Sequence, residues 1–120
     1  MPRLIETPTV VPGEGREEIL EFVGQASTGE AAVSVARLRC PGGWSEPPQR
    51  PDFDEYTVVL SGLLVIEHDE GQLEVAAGQA AHTRAGERIR YRTPSPEGAD
   101  YVAVCIPAFT FEATHRERDR

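Results

Sequence analysis

The chain contains no lysine and no asparagine, and all twelve of its basic residues are arginine. Schiff-base enzymes, pyridoxal-phosphate enzymes and P-loop nucleotidases each need a lysine, so these classes are excluded. Without asparagine there is no N-glycosylation sequon. Histidine is scarce: His68, His82 and His115 are the whole supply for metal or acid–base work. Cys40 and Cys105 form no C-x-x-C pair, which excludes a zinc ribbon and leaves two reduced thiols as the expectation. No apolar run approaches the ~20 residues of a membrane helix. The opening Met1-Pro2-Arg3-Leu4-Ile5-Glu6 also lacks the apolar core of a signal peptide. A soluble cytoplasmic protein with no membrane partner is expected.

What is present fits one domain over residues 1–120, with 39% apolar and 27% charged residues. Acidic residues outnumber basic ones 20 to 12, for a net charge of −8. Such a surface repels phosphate backbones, so a nucleic-acid partner is not expected. Eleven glycines and ten prolines are spread along the chain as punctuation between short segments. Residues 17–23 read as a helical turn or a strand, and Ala31 to Arg39 as a half-buried strand. Glu55 to Leu60 is a β-branched run, and Ser61-Gly62 reads as a tight turn into Leu63 to His68. Further strands are expected at Gln72–Ala76, Gln79–Thr83, Glu87–Arg92 and Asp100–Ile106. Glu112 to Arg120 is a polar tail, expected to be frayed or weakly helical. This spacing favours an all-β antiparallel barrel, with an open immunoglobulin-like sandwich as the alternative.

Glycine spacing separates the two. Gly43, Gln49, Pro51, Glu55 and Gly62 stand at the intervals of a first motif (43–62), and Gly78, Arg84-Ala85-Gly86, Ile89 and Thr93 at those of a second (78–93). This pattern resembles the cupin superfamily, whose fold is a jelly-roll β-barrel, and the 15-residue segment 63–77 between the motifs is like that of small bacterial single-domain cupins. Asp54 to Gly62 and Ala103 to Pro107 are similar to the ethanolamine-utilisation-type cupins. The resemblance implies a homodimer, built through the N-terminal strands and an outer sheet face. In metal-dependent cupins three histidines and a glutamate hold a divalent metal. Here Gln49, Pro51 and Ile89 stand at the histidine positions and only Glu55 remains, so no metal and no other cofactor is expected.

The motif position implies that Glu55 points into the barrel, where desolvation raises its pKa toward the range useful for general acid–base work. Gln49 is a candidate donor to a substrate carbonyl, and Tyr91 shares a strand face with Ile89. His82 is a candidate catalytic partner for Glu55, against the alternative of a satisfied histidine on the other face. Glu46 is a candidate second carboxylate at the mouth, against the alternative of a solvated loop charge. Trp44, Phe53, Ile89 and Cys105 complete the candidate substrate wall, each with plain packing as its alternative. Arg88, Arg90 and Arg92 share the strand face opposite Ile89 and Tyr91, as a solvated or salt-bridged surface. His68 and His115 are expected to be exposed. Three functions follow: metal-independent acid–base chemistry on a small organic molecule, centred on Glu55; a non-catalytic metabolite-binding or sensing barrel; or a non-standard metal site using Glu55 with His82, Gln49 or Glu46.

Overall fold

The computed structural model describes residues 1–117, which form nine strands and one short helix. Strands β1 (Thr9–Val11), β2 (Glu18–Val23) and β3 (Ser34–Cys40) make an antiparallel meander. β3 pairs with β9 (Ala99–Ile106), and β9 pairs with the first half of β5 (Asp54–His68). β7 (Ala80–Thr83) lies along the other edge of that half, from Glu55↔Thr83 to Val58↔Ala80. The second half of β5 takes different partners, β6 (Gly71–Ala76) and β8 (Ile89–Thr93), and β8 carries the short β4 (Trp44–Ser45). Every pairing is antiparallel, and the sheet curls around a core that includes Leu64, Ile66, Val75, Tyr91 and Tyr101. No helix among the described residues is long and apolar enough to cross a membrane.

The segment at 17–23 is a strand. The Ser61-Gly62 pair, in contrast, makes no hairpin: β5 runs through it as one strand of 15 residues. Its register with β9 shifts between Val59 and Ser61, and Gly62 has φ +80°. A Ser-Gly pair suits a bulge as well as a two-residue turn, which is why sequence alone reads it as a turn. A Cβ on Gly62 would collide with the carbonyl of Gly98. β1 and β4, at three and two residues, are too short to show alternation.

Alternation is strict in the first half of β5. Glu55, Thr57 and Val59 are buried, while Tyr56, Val58 and Leu60 are exposed. On β8, Ile89, Tyr91 and Thr93 are buried, and Arg90 and Arg92 face outward to Glu67, with Arg92 Nε donating to Glu67 Oε2 at 2.6 Å. The expected outer arginine face is thus salt-bridged.

The tail is not frayed within the described residues. Phe111–Thr114 forms helix α1, with Thr110 Oγ1 accepting from Ala113 N at 3.1 Å. Backbone bonds then strap the segment to the loop ahead of β5, through Arg50 N to Thr114 O, Asp52 N to Ala113 O and Glu117 N to Pro48 O. Residues 118–120 of the tail lie outside the described residues.

Gly62→Ala meets both a positive φ and a backbone wall, whereas a Cβ at Gly86 (φ +87°) meets open space. Gly62→Ala is expected to cost about 3 kcal/mol or more, and Gly86→Ala only about 1 kcal/mol. Urea unfolding of the two variants checks the order; equal losses would contradict a constrained bulge.

Candidate functional site

Between the β2–β3–β9 wall and the loop from Glu46 to Gln49 lies a cavity of about 50 Å³. One water occupies ~10–15 Å³ on this measure, so the space takes a few waters or a small molecule of a few heavy atoms. Its polar lining is dominated by four carboxylates, Glu17, Glu21, Glu46 and Glu55, and among the described residues Arg116 is the one cation on its wall.

Two of these carboxylates are tied to neighbouring segments by backbone and indole donors. Glu17 accepts from Gly15 N at 2.8 Å and from Trp44 Nε1 at 3.0 Å. Glu21 accepts from Ser27 N at 2.9 Å and lies against Gly24, closing the β2–β3 connection. Both serve the architecture.

Glu55 is held at the centre. Thr57 Oγ1 donates to its Oε2 at 3.0 Å and Cys105 Sγ to its Oε1 at 3.6 Å. Burial pushes its pKa up, opposed by hydrogen bonds from Thr57, Tyr91 and Cys105 and by the Arg116 charge. Beside it, the Tyr91 hydroxyl pairs with Thr83 Oγ1 at 3.0 Å, and burial and the Glu55 charge keep the phenol protonated well above its ordinary range. Burial likewise holds Cys105 as a neutral thiol rather than a thiolate nucleophile.

Glu46 is the least compensated group. It is 6% exposed, so the expected alternative of a solvated loop charge is overturned. Arg116 Nη2 stands 3.7 Å from its Oε1, while its Oε2 is buried with no partner. Burial raises its pKa to about 8, against the pull of Arg116 and with a further push from Glu55 and Glu17. Arg116 enters from the strap after α1. Its Nη1 meets Glu14 Oε1 at 3.0 Å, its Nε donates to Gln49 Oε1 at 3.1 Å, and its guanidinium lies over the Phe111 ring at 5.2 Å.

Of the residues that the sequence singles out, Glu55, Gln49, Tyr91, Glu46 and Cys105 come together on this wall. The rest do not. His82 is exposed on the outer face, stacked on Tyr56 at 4.3 Å and paired with Asp54 Oδ2 at 3.0 Å. Its register partner is Tyr56 rather than Glu55, and alternate residues of a strand point to opposite faces. Ile89 packs in the core and joins Gln49 through a backbone bridge. Trp44 is buried behind Glu17, and Phe53 packs edge-on against Phe109 at 5.8 Å. None of these four lines the cavity. His68 and His115 are exposed, as expected.

The metal positions of the motifs hold Gln49, Pro51, Glu55 and Ile89. Proline and isoleucine bring no donor atom, and Gln49 Oε1 is taken by Arg116. Among the described residues no group of three His, Cys, Asp or Glu side chains is placed to hold a metal ion. These residues do not fit the metal of the family pattern.

Glu17, Glu21, Tyr101 and Arg116 are among the wall residues that sequence reasoning missed. Strand alternation puts Glu17 and Glu21 on one face with buried Ile19, but does not by itself say that this face turns inward. For Arg116 there was no signal.

Stability should report the Glu46 proton. The folded chain holds it to about pH 8, whereas the unfolded chain gives it up near 4.5. The contribution of Glu46 to stability is therefore fully present below 4.5 and is lost as pH rises through that window, by up to about 1.4 kcal/mol per unit. Glu46→Gln is expected to flatten this decline between pH 5 and 8 in urea titrations; an unchanged slope would count against a buried, protonated Glu46.

Residues 38–105 match the family model of the cupin domain. Solved structures of the same shape include a variant of oxalate decarboxylase from Bacillus subtilis (TM-score 0.74, 15% identity, covering 93% of this chain and 31% of that one). KdgF from a Halomonas species superposes with TM-score 0.70 at 11% identity, over 84% of this chain and 89% of that one. The EutQ protein of Clostridium difficile gives 0.64 at 16% identity, over 86% and 75%. These likenesses show the fold alone. Among curated proteins, the endoribonuclease YbeY of Myxococcus xanthus is 42% identical over 108 residues, which are 90% of this chain and 37% of that protein. The chain thus spans little more than a third of that relative's length. The fold is the expected jelly-roll barrel, and with residues 38–105 inside the family match the chain belongs to the cupin family.

Proposed function

We propose that this barrel performs metal-independent proton transfer on a small organic molecule, with Glu55 as the base. The carrying observation is a buried carboxylate, facing a cavity, whose anion is met by Thr57, Tyr91 and Cys105 while desolvation raises its proton affinity. That combination keeps the carboxylate available and makes it a stronger base than one in water. In the step, Glu55 takes a proton from a carbon beside a carbonyl. The C–H pair becomes the enolate π bond, and the charge moves to oxygen. The neutral Tyr91 phenol, released from Glu55 as that carboxylate takes the proton, is one donor for that oxygen, and the Gln49 amide nitrogen, whose oxygen is held by Arg116, is the other. Return of the proton to a different carbon is an isomerisation, and loss of a leaving group from the enolate is an elimination.

Deuterium incorporation tests this without a known substrate. A panel of small carbonyl metabolites is incubated with protein in D2O and read by mass spectrometry. Protein-dependent incorporation into at least one compound is expected, reduced a hundredfold or more by Glu55→Gln. Incorporation that survives in Glu55→Gln would sink the assignment.

A second reading is favoured by the Myxococcus relative, in which a segment like this one makes up 37% of a longer protein. On this reading the barrel of this chain acts as a metabolite-binding module beside another activity. Stoichiometric ligand occupancy with no incorporation of deuterium would select it. The ribonuclease activity in that relative's name finds no support in a chain with net charge −8, which repels RNA. The protein's setting is proposed to be the cytoplasm.

The assembly is proposed to be a homodimer. Tyr56, Val58 and Leu60 stand exposed on β5, next to outward Val102, Val104 and Ile106 on β9. Contiguous exposed apolar residues mark interaction sites, and on a twofold axis such a face covers itself. Sedimentation should show a dimer that Leu60→Glu converts to monomer with the fold retained; a wild-type monomer at micromolar concentration contradicts it.

A further inference from the structure

The charge on the cavity wall is unbalanced: four carboxylates face one guanidinium. Glu17 and Glu21 are locked by backbone and indole donors. Glu55 has its own donors in Thr57 and Cys105. Arg116 is already engaged by Glu14 and Gln49 and reaches only Oε1 of Glu46. Among the described residues Glu46 Oε2 is the one carboxylate oxygen that is both buried and without a partner, on a side chain 6% exposed that lines the cavity. A buried carboxylate oxygen without a donor is costly, and native chains keep few such atoms. An incoming anion would meet the carboxylates of Glu46 and Glu55 and find no free cation. An incoming cation with N–H donors would satisfy the orphaned oxygen and balance the excess charge.

We propose that the cavity takes a small organic ammonium ion, of about four heavy atoms to suit the space, whose N–H donates to Glu46 Oε2. This names the substrate class of the Glu55 site and rests on that reading, with Glu46 as the anchor and Glu55 as the base. Tyr91, Tyr101 and Phe109 on the wall add aromatic surface suited to an alkylammonium.

The groups facing Glu46 are Arg116 from the strap, Glu17 ahead of β2, Cys40 on β3, Glu55 on β5, Tyr91 on β8 and Tyr101 on β9. Tyr91 stays neutral across pH 6–8, Glu46 gives up its proton there, and Glu55, raised by burial as well, adds to the response in the same direction. An alkylammonium keeps its charge, its pKa lying near 10. Binding therefore requires Glu46 to give up its proton, and affinity should rise with pH up to about 8 and level off above it.

The test is calorimetric titration with ethylammonium, ethanol and acetate, three probes of similar size and different charge. Ethylammonium is expected to bind, at least tenfold more tightly at pH 8 than at pH 6, with ethanol and acetate at least tenfold weaker. Glu46→Gln should weaken ethylammonium tenfold or more, and Glu55→Gln by less than threefold. Failure of ethylammonium to bind, equal or tighter binding of acetate or ethanol, an affinity flat or falling with pH, or an unaltered Glu46→Gln each overturns the proposal. If Glu46→Gln does not fold, the pH series on the unaltered protein decides. Absent ethylammonium binding, with deuterium incorporation still lost in Glu55→Gln, removes the ligand class and leaves the base. Intact ethylammonium binding with incorporation unaffected in Glu55→Gln does the reverse.

Discussion

Strand β5 ties the two walls of the barrel together. Its first half bonds to β9 and β7, its second half to β6 and β8, and the change of partners falls at the Val59–Gly62 bulge. The bulge depends on Gly62, because the carbonyl of Gly98 occupies the space a Cβ needs. From this one crossing the rest follows. Residues before the bulge alternate strictly, so Glu55 and Thr57 face inward and Tyr56 and Val58 outward. Register with β9 sets Cys105 directly across from Glu55, and register with β7 sets Thr83 there on the other side. Thr83 in turn holds the Tyr91 hydroxyl. The polar environment of the carboxylate is therefore fixed by backbone pairing rather than by loops.

Burying four carboxylates in a small barrel is unfavourable unless each finds donors. The chain solves this unevenly. Gly15 N and the Trp44 indole hold Glu17, and Ser27 N holds Glu21 Oε2, tying down the entry to β2 and the β2–β3 connection. Glu55 takes side-chain donors that hold its anion in place. Glu46 has one distant cation and a bare oxygen. Groups left uncompensated in an otherwise consistent fold mark the places where stability has been given up for something else. That contrast, within one cavity, separates structural carboxylates from those proposed to act.

Much of this was legible in the sequence. Motif spacing gave the fold, the inward position of Glu55, and Gln49 and Tyr91 as its neighbours, because glycine turns and strand parity are local properties. Inner and outer faces of β8 could be read from Ile89, Tyr91 and the arginines between them. β2 misleads for a physical reason. Its Leu20 and Phe22 look like the core face, yet Glu17, Ile19 and Glu21 are the buried set. Alternation reveals two faces but does not say which one carries charge inward. His82 failed by parity: it pairs with Tyr56, one residue from Glu55, and so faces out. Arg116 was invisible, since its place depends on a strap held by backbone bonds to residues 48–52 that no periodicity encodes.

The strap also answers a question the barrel alone raises. A carboxylate at the family's ligand position needs a positive partner, and Gln49, Pro51 and Ile89 supply none. Arg116 brings one from the far end of the chain, anchored by Glu14 and stacked on Phe111. A guanidinium differs from a metal ion in two respects that matter here. It cannot accept a ligand's electron pair, so polarising a substrate oxygen falls to neutral donors such as Tyr91 and Gln49. It also carries a single charge, which against four carboxylates leaves the interior electronegative. A cavity of that kind repels anions and keeps its carboxyl groups reluctant to ionise, and both properties suit a site whose work is to take a proton from a small, positively charged molecule.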